Sequence, residues 1–253
     1  MSTARGGARP PAACGGERMG TITQFYRSTL GKKAVMAVTG FLLFGFVFIH
    51  MAGNLKLYLG KYAGGPHQGE YAINVYGEWL REFGAPLLPH GGALWIFRVV
   101  LLVAVLLHMH CAWVLTRQSW AARPLDYRRR DVIQATYASR TVRWGGVIIL
   151  LFVLYHLAHL TLGWTGPEGF EHLKPYQNLV LGFQNPWIAG FYIVANLMLG
   201  LHLYHGLWSL FQSLGWYGPA LNPWRRRFAA VFAVIVTAGN VSLPLAVLGG
   251  LVR

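Results

Sequence analysis

Four histidines lie inside long apolar segments of the chain: His50, His108, His156 and His202. Apolar residues flank each of them, as in FIHMAG around His50 and VLYHLA around His156. Because hydrocarbon offers an imidazole no water to bond, a histidine at membrane depth is a functional hypothesis by default. Such a histidine can bond a neighbouring helix, relay protons, or bind a haem iron as an axial ligand.

The composition is that of a membrane protein that crosses the bilayer several times. Of 253 residues, 55% are hydrophobic and only 12% are charged, about half the charged fraction of a soluble domain. Several apolar runs reach the roughly 20 residues that cross a hydrocarbon core of about 30 Å. The net charge is +14, but the basic residues lie between the apolar runs, which disfavours nucleic acid as a partner.

Five transmembrane helices are predicted, at about 33–58, 92–117, 142–164, 187–214 and 228–251. Residues 1–21 are rich in Gly, Ala, Pro and Arg, and we expect a disordered cytoplasmic tail there. Residues 22–31 predict a short amphipathic segment at the membrane surface. The fold class expected for residues 22–253 is therefore an all-α membrane domain built as a five-helix bundle.

The charges between the helices predict the orientation. Arginine and lysine concentrate before the first helix, between helices two and three, and between helices four and five. The opposite side carries most of the acidic residues: Glu70, Glu78, Glu82, Glu168 and Glu171. The positive-inside rule places the N-terminus in the cytoplasm and the C-terminus outside.

The four membrane histidines fall at two depths. At about 1.5 Å rise per residue, His50 and His156 lie roughly 12 and 10 Å from the outer ends of their helices, and His108 and His202 lie roughly 24 Å from the outer side. A haem with two imidazole ligands needs one neutral histidine on each face of the ring, at equal height on facing helices. The simplest pairing, His50 with His156 and His108 with His202, predicts two stacked b haems inside the bundle. A proton relay is less favoured, because the five segments contain no Asp or Glu.

Other residues in the helices have alternative candidate roles. His110 lies about 200° around the helix from His108 and cannot serve the same ring. His159 and His205 each follow a predicted ligand by three residues and could bond a haem propionate, a quinone carbonyl or another helix. Arg98 suits a propionate of the outer haem or extends to the interface. Gly40, Gly45, Gly146 and Gly200 would admit a flat ring or close helix packing.

Cysteine usage excludes an iron–sulfur cluster within this chain. Cys14 and Cys111 are the only two cysteines, whereas such clusters are usually held by four thiolates. Any iron–sulfur chemistry must therefore come from a partner subunit.

Four segments together resemble a known family: GKKAVMAVTGFLLFGFVFIHMAGNL, HMHCAWVLTRQSWAARP, LLFVLYHLAHLTLG and HLYHGLWSLFQSLG. They are similar to the cytochrome b membrane subunit of succinate:quinone oxidoreductase, in its single-chain, five-helix, di-haem b558 form from bacteria. The resemblance covers about residues 24–251.

The resemblance implies the same four haem ligands. In HMHCAWVLTRQSWAARP, the spacing to the closing ARP selects His108 over His110, and in HLYHGLWSL, Gly206 selects His202 over His205. It also implies partners: a flavoprotein subunit that oxidises succinate and an iron–sulfur subunit on the cytoplasmic face. Electrons would pass through the inner and then the outer haem to a membrane quinone, with menaquinone expected. The whole complex could form a higher oligomer.

The sequence offers two candidate groups for a quinone site. Inner candidates are Arg27, Ser28 and Lys32, and outer candidates are Glu78 and Glu82. A quinone needs an apolar slot with a few donors, and the spacing of these residues does not select one group.

Three alternatives differ in testable ways. A fumarate reductase subunit would run the same reaction in reverse. The di-haem cytochrome b of a hydrogenase or formate dehydrogenase would carry ligand motifs other than HMAGNL and HGLWSL. A haem-free anchor or transporter would be colourless and would not need four matched histidines, and a transporter would favour repeats or broken helices, which the sequence does not show.

Overall fold

The computed structural model describes residues 21–122 and 137–253. Nearly all of the predicted tail, 1–21, lies outside the described residues, as does most of the basic segment between the second and third predicted helices. Regular structure within the described ranges is helical apart from two isolated β-bridges, Lys61 with Tyr71 and Tyr62 with Gln68.

Five helices in the described part of the chain are long and apolar enough to cross a membrane, which confirms the predicted all-helical, five-span architecture. A short helix, α1 (Thr21–Arg27), precedes them, where the amphipathic segment is predicted. The five long helices are α2 (Thr29–Asn54), α4 (Gly92–Ala121), α5 (Tyr137–His156), α7 (Pro186–Ser213) and α8 (Leu221–Leu248). A 3₁₀ turn, Leu55–Leu59, extends α2, and a π-helical turn, Leu157–Thr161, extends α5.

Two further helices occupy the connections on the predicted outer side. These are α3 (Ala72–Glu82) and α6 (Pro175–Phe183). The buried side chain of Asn74 joins them: its amide nitrogen donates to Gln177 Oε1 at 3.0 Å, and its oxygen accepts from the backbone nitrogen of Tyr176 at 2.9 Å. The outer connections therefore form a cap of packed helices.

Three of the long helices begin four to seven residues before their predicted starts, and α5 is one of them, at Tyr137 instead of about 142. Helix α2 begins at Thr29 because the Ser28 hydroxyl caps it, accepting from the Gly31 nitrogen at 2.9 Å. Helix α8 begins at Leu221, seven residues earlier than predicted, and therefore includes the arginine cluster. Arg225 is buried there and donates to the Trp208 carbonyl oxygen at 3.2 Å and to Asn222 Oδ1.

Helix packing divides the bundle into closely packed and open pairs. The most extensive contacts join α7 with α8, α2 with α4, and α5 with α7. Among the described residues, the pairs α2–α5 and α4–α7 are not in extensive contact. Those two pairs carry the four membrane histidines, so the histidine-bearing helices face one another across the bundle interior.

Candidate functional site

The structure brings His50 on α2 and His156 on α5 together. Their ring centroids are 5.8 Å apart, and the ring planes are nearly perpendicular, at 88°. Phe46 stacks on the His50 ring at 5.3 Å, and Phe152 lies 5.8 Å from the His156 ring. An aromatic side chain one turn before each histidine thus packs against its ring. We call His50 and His156 the outer pair.

His108 on α4 and His202 on α7 form a second pair. Their ring centroids are 6.3 Å apart, and the planes meet at 65°. We call His108 and His202 the inner pair. Their separation is similar to that of the outer pair, on two other helices.

Both separations suit two imidazoles on opposite sides of one metal ion. Metal–imidazole bonds of about 2 Å place the centroids of two such rings roughly 6 Å apart. His50 is exposed and the other three residues are half-buried. No cluster of three or more His, Cys, Asp or Glu in the described ranges could hold a metal ion by itself. The donor set fits a metal held by two axial imidazoles within a macrocycle.

Three helices independently give the separation of the two sites along the bundle. On α2, Thr39 contacts the inner pair and His50 lies eleven residues later. On α5, Gly146 lies beside the inner His202, and the outer His156 follows ten residues later. On α7, ten residues separate Tyr192, beside the outer pair, from His202. At 1.5 Å per residue these intervals all correspond to about 15 Å.

A hydroxyl group orients one ring of the inner pair. Thr39 Oγ1 donates to the Val35 carbonyl oxygen at 2.8 Å and lies 3.2 Å from His108 Nδ1. Since its proton is directed to Val35, the hydroxyl oxygen accepts from an N–H at Nδ1 of His108. This assignment leaves Nε2 deprotonated, the state that binds a metal.

Glycines keep side chains away from the inner rings. A Cβ atom on Gly40 would lie 3.3 Å from His108 Cε1, and one on Gly146 would lie 4.0 Å from His202 Cε1. Gly45 has open space on its side of α2. Gly200 differs, because a Cβ there would collide with Thr237 on α8. Gly40 and Gly146 thus border the candidate site, whereas Gly200 serves helix packing.

The remaining histidines of the helices contact other groups. His110 stacks on Tyr26 of α1 at 6.3 Å, away from His202. His205 stacks on Trp208 at 5.8 Å. His159 is buried, with Nδ1 3.0 Å from the hydroxyl of Tyr192.

Arg98 lies ten residues before His108 on α4, at the level of the outer pair. Its guanidinium lies over the Trp95 ring at 4.9 Å. The pKa of Arg81 on α3 is lowered from its ordinary value, first by burial and then by the charge of Arg98. Two arginines are therefore close together at this edge of the outer site.

The predicted inner quinone contacts bond within their own segment. The buried Lys32 donates through Nζ to the Arg27 carbonyl oxygen at 2.5 Å, and Ser28 donates to the Phe25 carbonyl oxygen at 2.6 Å. Both outer candidates, Glu78 and Glu82, lie on α3.

Tyr192, like Thr39, is a residue of this site that the sequence did not reveal. Its hydroxyl lies 3.5 Å from Nδ1 of His156 and 3.0 Å from Nδ1 of His159. In an apolar run it has the appearance of an ordinary core aromatic, and only its ten-residue spacing from His202 could have indicated its depth.

Residues 122–241 match the model of a family described as the succinate dehydrogenase/fumarate reductase transmembrane subunit. The match covers slightly less than half of the chain and includes His156 and His202, but not His50 or His108. No curated protein and no solved structure matches the chain. Within residues 122–241 the chain is therefore similar to this family of membrane subunits, and its five apolar helices are those of a multi-pass membrane protein.

Proposed function

We propose that this protein is the di-haem cytochrome b membrane subunit of a bacterial succinate dehydrogenase complex, which passes electrons from an iron–sulfur subunit to a quinone. The observation that carries the proposal is the presence of two facing histidine pairs, with centroids 5.8 and 6.3 Å apart, at two levels of one bundle. The family match supports the kind of complex in which the chain acts.

His50 and His156 would hold one haem, and His108 and His202 the other. Haem iron bound by two histidines supplies reversible one-electron transfer. Two imidazole ligands to each iron would favour electron transfer over oxygen binding. Thr39 would fix the ring of His108, and Gly40 and Gly146 would leave room beside the inner rings. Arg98, beside the outer level, suits a propionate.

The partners are those that the family resemblance implies: a flavoprotein subunit that oxidises succinate and an iron–sulfur subunit that passes on the electrons. Two cysteines in this chain cannot hold an iron–sulfur cluster, which is consistent with a separate subunit for that chemistry. The positive-inside rule puts the arginine cluster Arg225–Arg227 on the cytoplasmic side, where these subunits would dock. The electron acceptor would be a membrane quinone, with menaquinone expected.

Fumarate reduction is the second candidate, because the matching family includes both kinds of subunit. The chain would then pass electrons from quinol toward the cytoplasm. Comparing succinate–quinone and quinol–fumarate rates of the purified complex decides between the two directions.

The experiment that tests the proposal is a haem count on the purified full-length chain. Reduced-minus-oxidised spectra and a pyridine haemochrome assay should give two b haems per chain. His110→Ala, which changes a histidine of α4 outside both pairs, should retain both. A colourless preparation, or one haem per chain in fully assembled protein, would overturn the di-haem proposal.

A further inference from the structure

The Tyr192 hydroxyl lies between two histidines of the outer half of the bundle. It is 3.5 Å from Nδ1 of His156, a proposed ligand, and 3.0 Å from Nδ1 of His159. The tyrosine is only 4% exposed, and its ring meets Phe152 and Phe183 edge to face at 5.1 and 5.0 Å. Packing therefore fixes the position of the hydroxyl.

The backbone after His156 brings His159 to the same hydroxyl. A π-helical turn, Leu157–Thr161, replaces the regular helix directly after His156, and such turns are frequent at functional sites. The His159 ring lies between two glycines, since a Cβ on Gly166 or on Gly182 would come within 2.6 Å of it. His159 is thus held from both sides with Nδ1 toward Tyr192.

The proton positions along these three groups follow from metal binding. If His156 binds iron through Nε2, its proton is on Nδ1 and can only be donated. The Tyr192 oxygen accepts that proton, so its own O–H is directed to His159 Nδ1 as acceptor. The result is a chain of two hydrogen bonds, in which His156 donates to Tyr192 and Tyr192 donates to His159. A hydroxyl that accepts from a ligand histidine fixes its ring orientation and makes it a more basic ligand.

We propose that Tyr192, supported by His159, is the positioning residue for the outer haem ligand His156. The inference rests on the proposed di-haem function. A more basic ligand stabilises ferric iron, so the Tyr192 hydroxyl lowers the reduction potential of the outer haem. The inner pair lies about 15 Å away along α7 and is not affected.

The test is Tyr192→Phe in the full chain, which keeps the ring packing and removes the hydroxyl. A spectroelectrochemical titration should show the midpoint potential of the outer haem shifted upward and that of the inner haem unchanged. The outer haem is identified as the one missing from His50→Ala. Its ferric low-spin EPR signal, which depends on the angle between the imidazole planes, should also change.

Tyr155→Phe is the matched control. This neighbouring tyrosine also packs against His159, but its hydroxyl bonds to Thr165. It should leave both potentials and both EPR signals unchanged. His159→Leu should shift the outer potential upward by less than Tyr192→Phe, and the double variant should match Tyr192→Phe alone.

The outcomes separate this inference from the proposed function. Wild-type protein without haem would remove the proposed function itself. Wild-type protein with two haems, together with a Tyr192→Phe variant whose potentials and EPR signals are unchanged, would overturn only the positioning role. Equal shifts in Tyr192→Phe and Tyr155→Phe would also overturn it, because they would reflect altered packing.

Discussion

In each histidine pair, the Nδ1 atom of one ring lies within 3.5 Å of a hydroxyl group on a different helix. Thr39 of α2 serves His108 of the inner pair, and Tyr192 of α7 serves His156 of the outer pair. The threonine donates its proton to a helix carbonyl oxygen, whereas the tyrosine hydroxyl also lies 3.0 Å from Nδ1 of a further histidine, His159. The outer pair is therefore connected to a second titratable group, and the inner pair is connected to the backbone.

Thr39→Val tests the inner hydroxyl, because it keeps the side-chain shape and removes the acceptor for His108 Nδ1. Loss of such a partner typically weakens metal binding about 10–100-fold. We expect the inner haem to be lost preferentially when the purified variant is challenged with apomyoglobin, as followed by absorbance. Thr39→Ser keeps a hydroxyl and should retain the haem like wild type. Equal haem loss from the serine and valine variants would contradict this role.

The sequence indicates the four membrane histidines as candidates but does not indicate the side chains that lie beside them. His50, His108, His156 and His202 stand out because imidazoles are rare in apolar runs. Thr39 and Tyr192 do not stand out, since hydroxyl and aromatic residues are ordinary in such runs. Their roles depend on helix rotation and, for Tyr192, on the π-helical turn that moves His159 toward it.

Two glycines that look alike in the sequence have different roles, because they lie at different contacts of their helices. Gly40 and Gly200 both interrupt long apolar helices. Gly40 borders the His108 ring, whereas Gly200 lies where α7 crosses α8 against Thr237. Only the helix contacts reveal which glycine leaves room for a ring and which allows two backbones to approach.

Gly200→Ala should destabilise the α7–α8 contact, because the added methyl group collides with the Thr237 side chain. Overpacking of this kind typically costs about 1–3 kcal/mol. A lower thermal midpoint in detergent is expected. Thr237→Ala in the same chain should restore most of the loss, and Gly206→Ala, with open space at that position, should be neutral. If Thr237→Ala gave no recovery, the collision would not be the cause.

The sequence predicts a helix most accurately when hydrophobicity alone determines that helix. The five long helices are determined by the apolar length that a bilayer requires. Their ends differ from prediction where local bonds extend a helix, as Ser28 does for α2 and the bonds of Arg225 do within α8. Helices α3 and α6 were missed because they are short and are stabilised by contacts such as those of Asn74, although Pro175 at the first turn of α6 was a visible signal.

At the scale of the whole molecule, the two histidine pairs lie at two successive levels along the bundle axis. The same interval of about 15 Å appears on α2, α5 and α7, so the two levels have the same separation on three helices. The histidine-bearing pairs α2–α5 and α4–α7 are not extensively packed in the described part of the chain. A bundle that was stabilised only by its own packing would not need matched imidazoles across helix pairs that are not extensively packed.

This arrangement predicts an order of electron delivery. In the assembled complex, His202→Ala should remove the inner haem and block reduction of the remaining haem by succinate, while dithionite still reduces it. His50→Ala should remove the outer haem and leave the inner haem reducible by succinate. Stopped-flow spectra with each reductant measure both cases, with His110→Ala as the control that keeps two reducible haems. If succinate reduced the remaining haem in His202→Ala but not in His50→Ala, the His50–His156 site would face the iron–sulfur subunit, and the orientation inferred from the basic loops would be reversed.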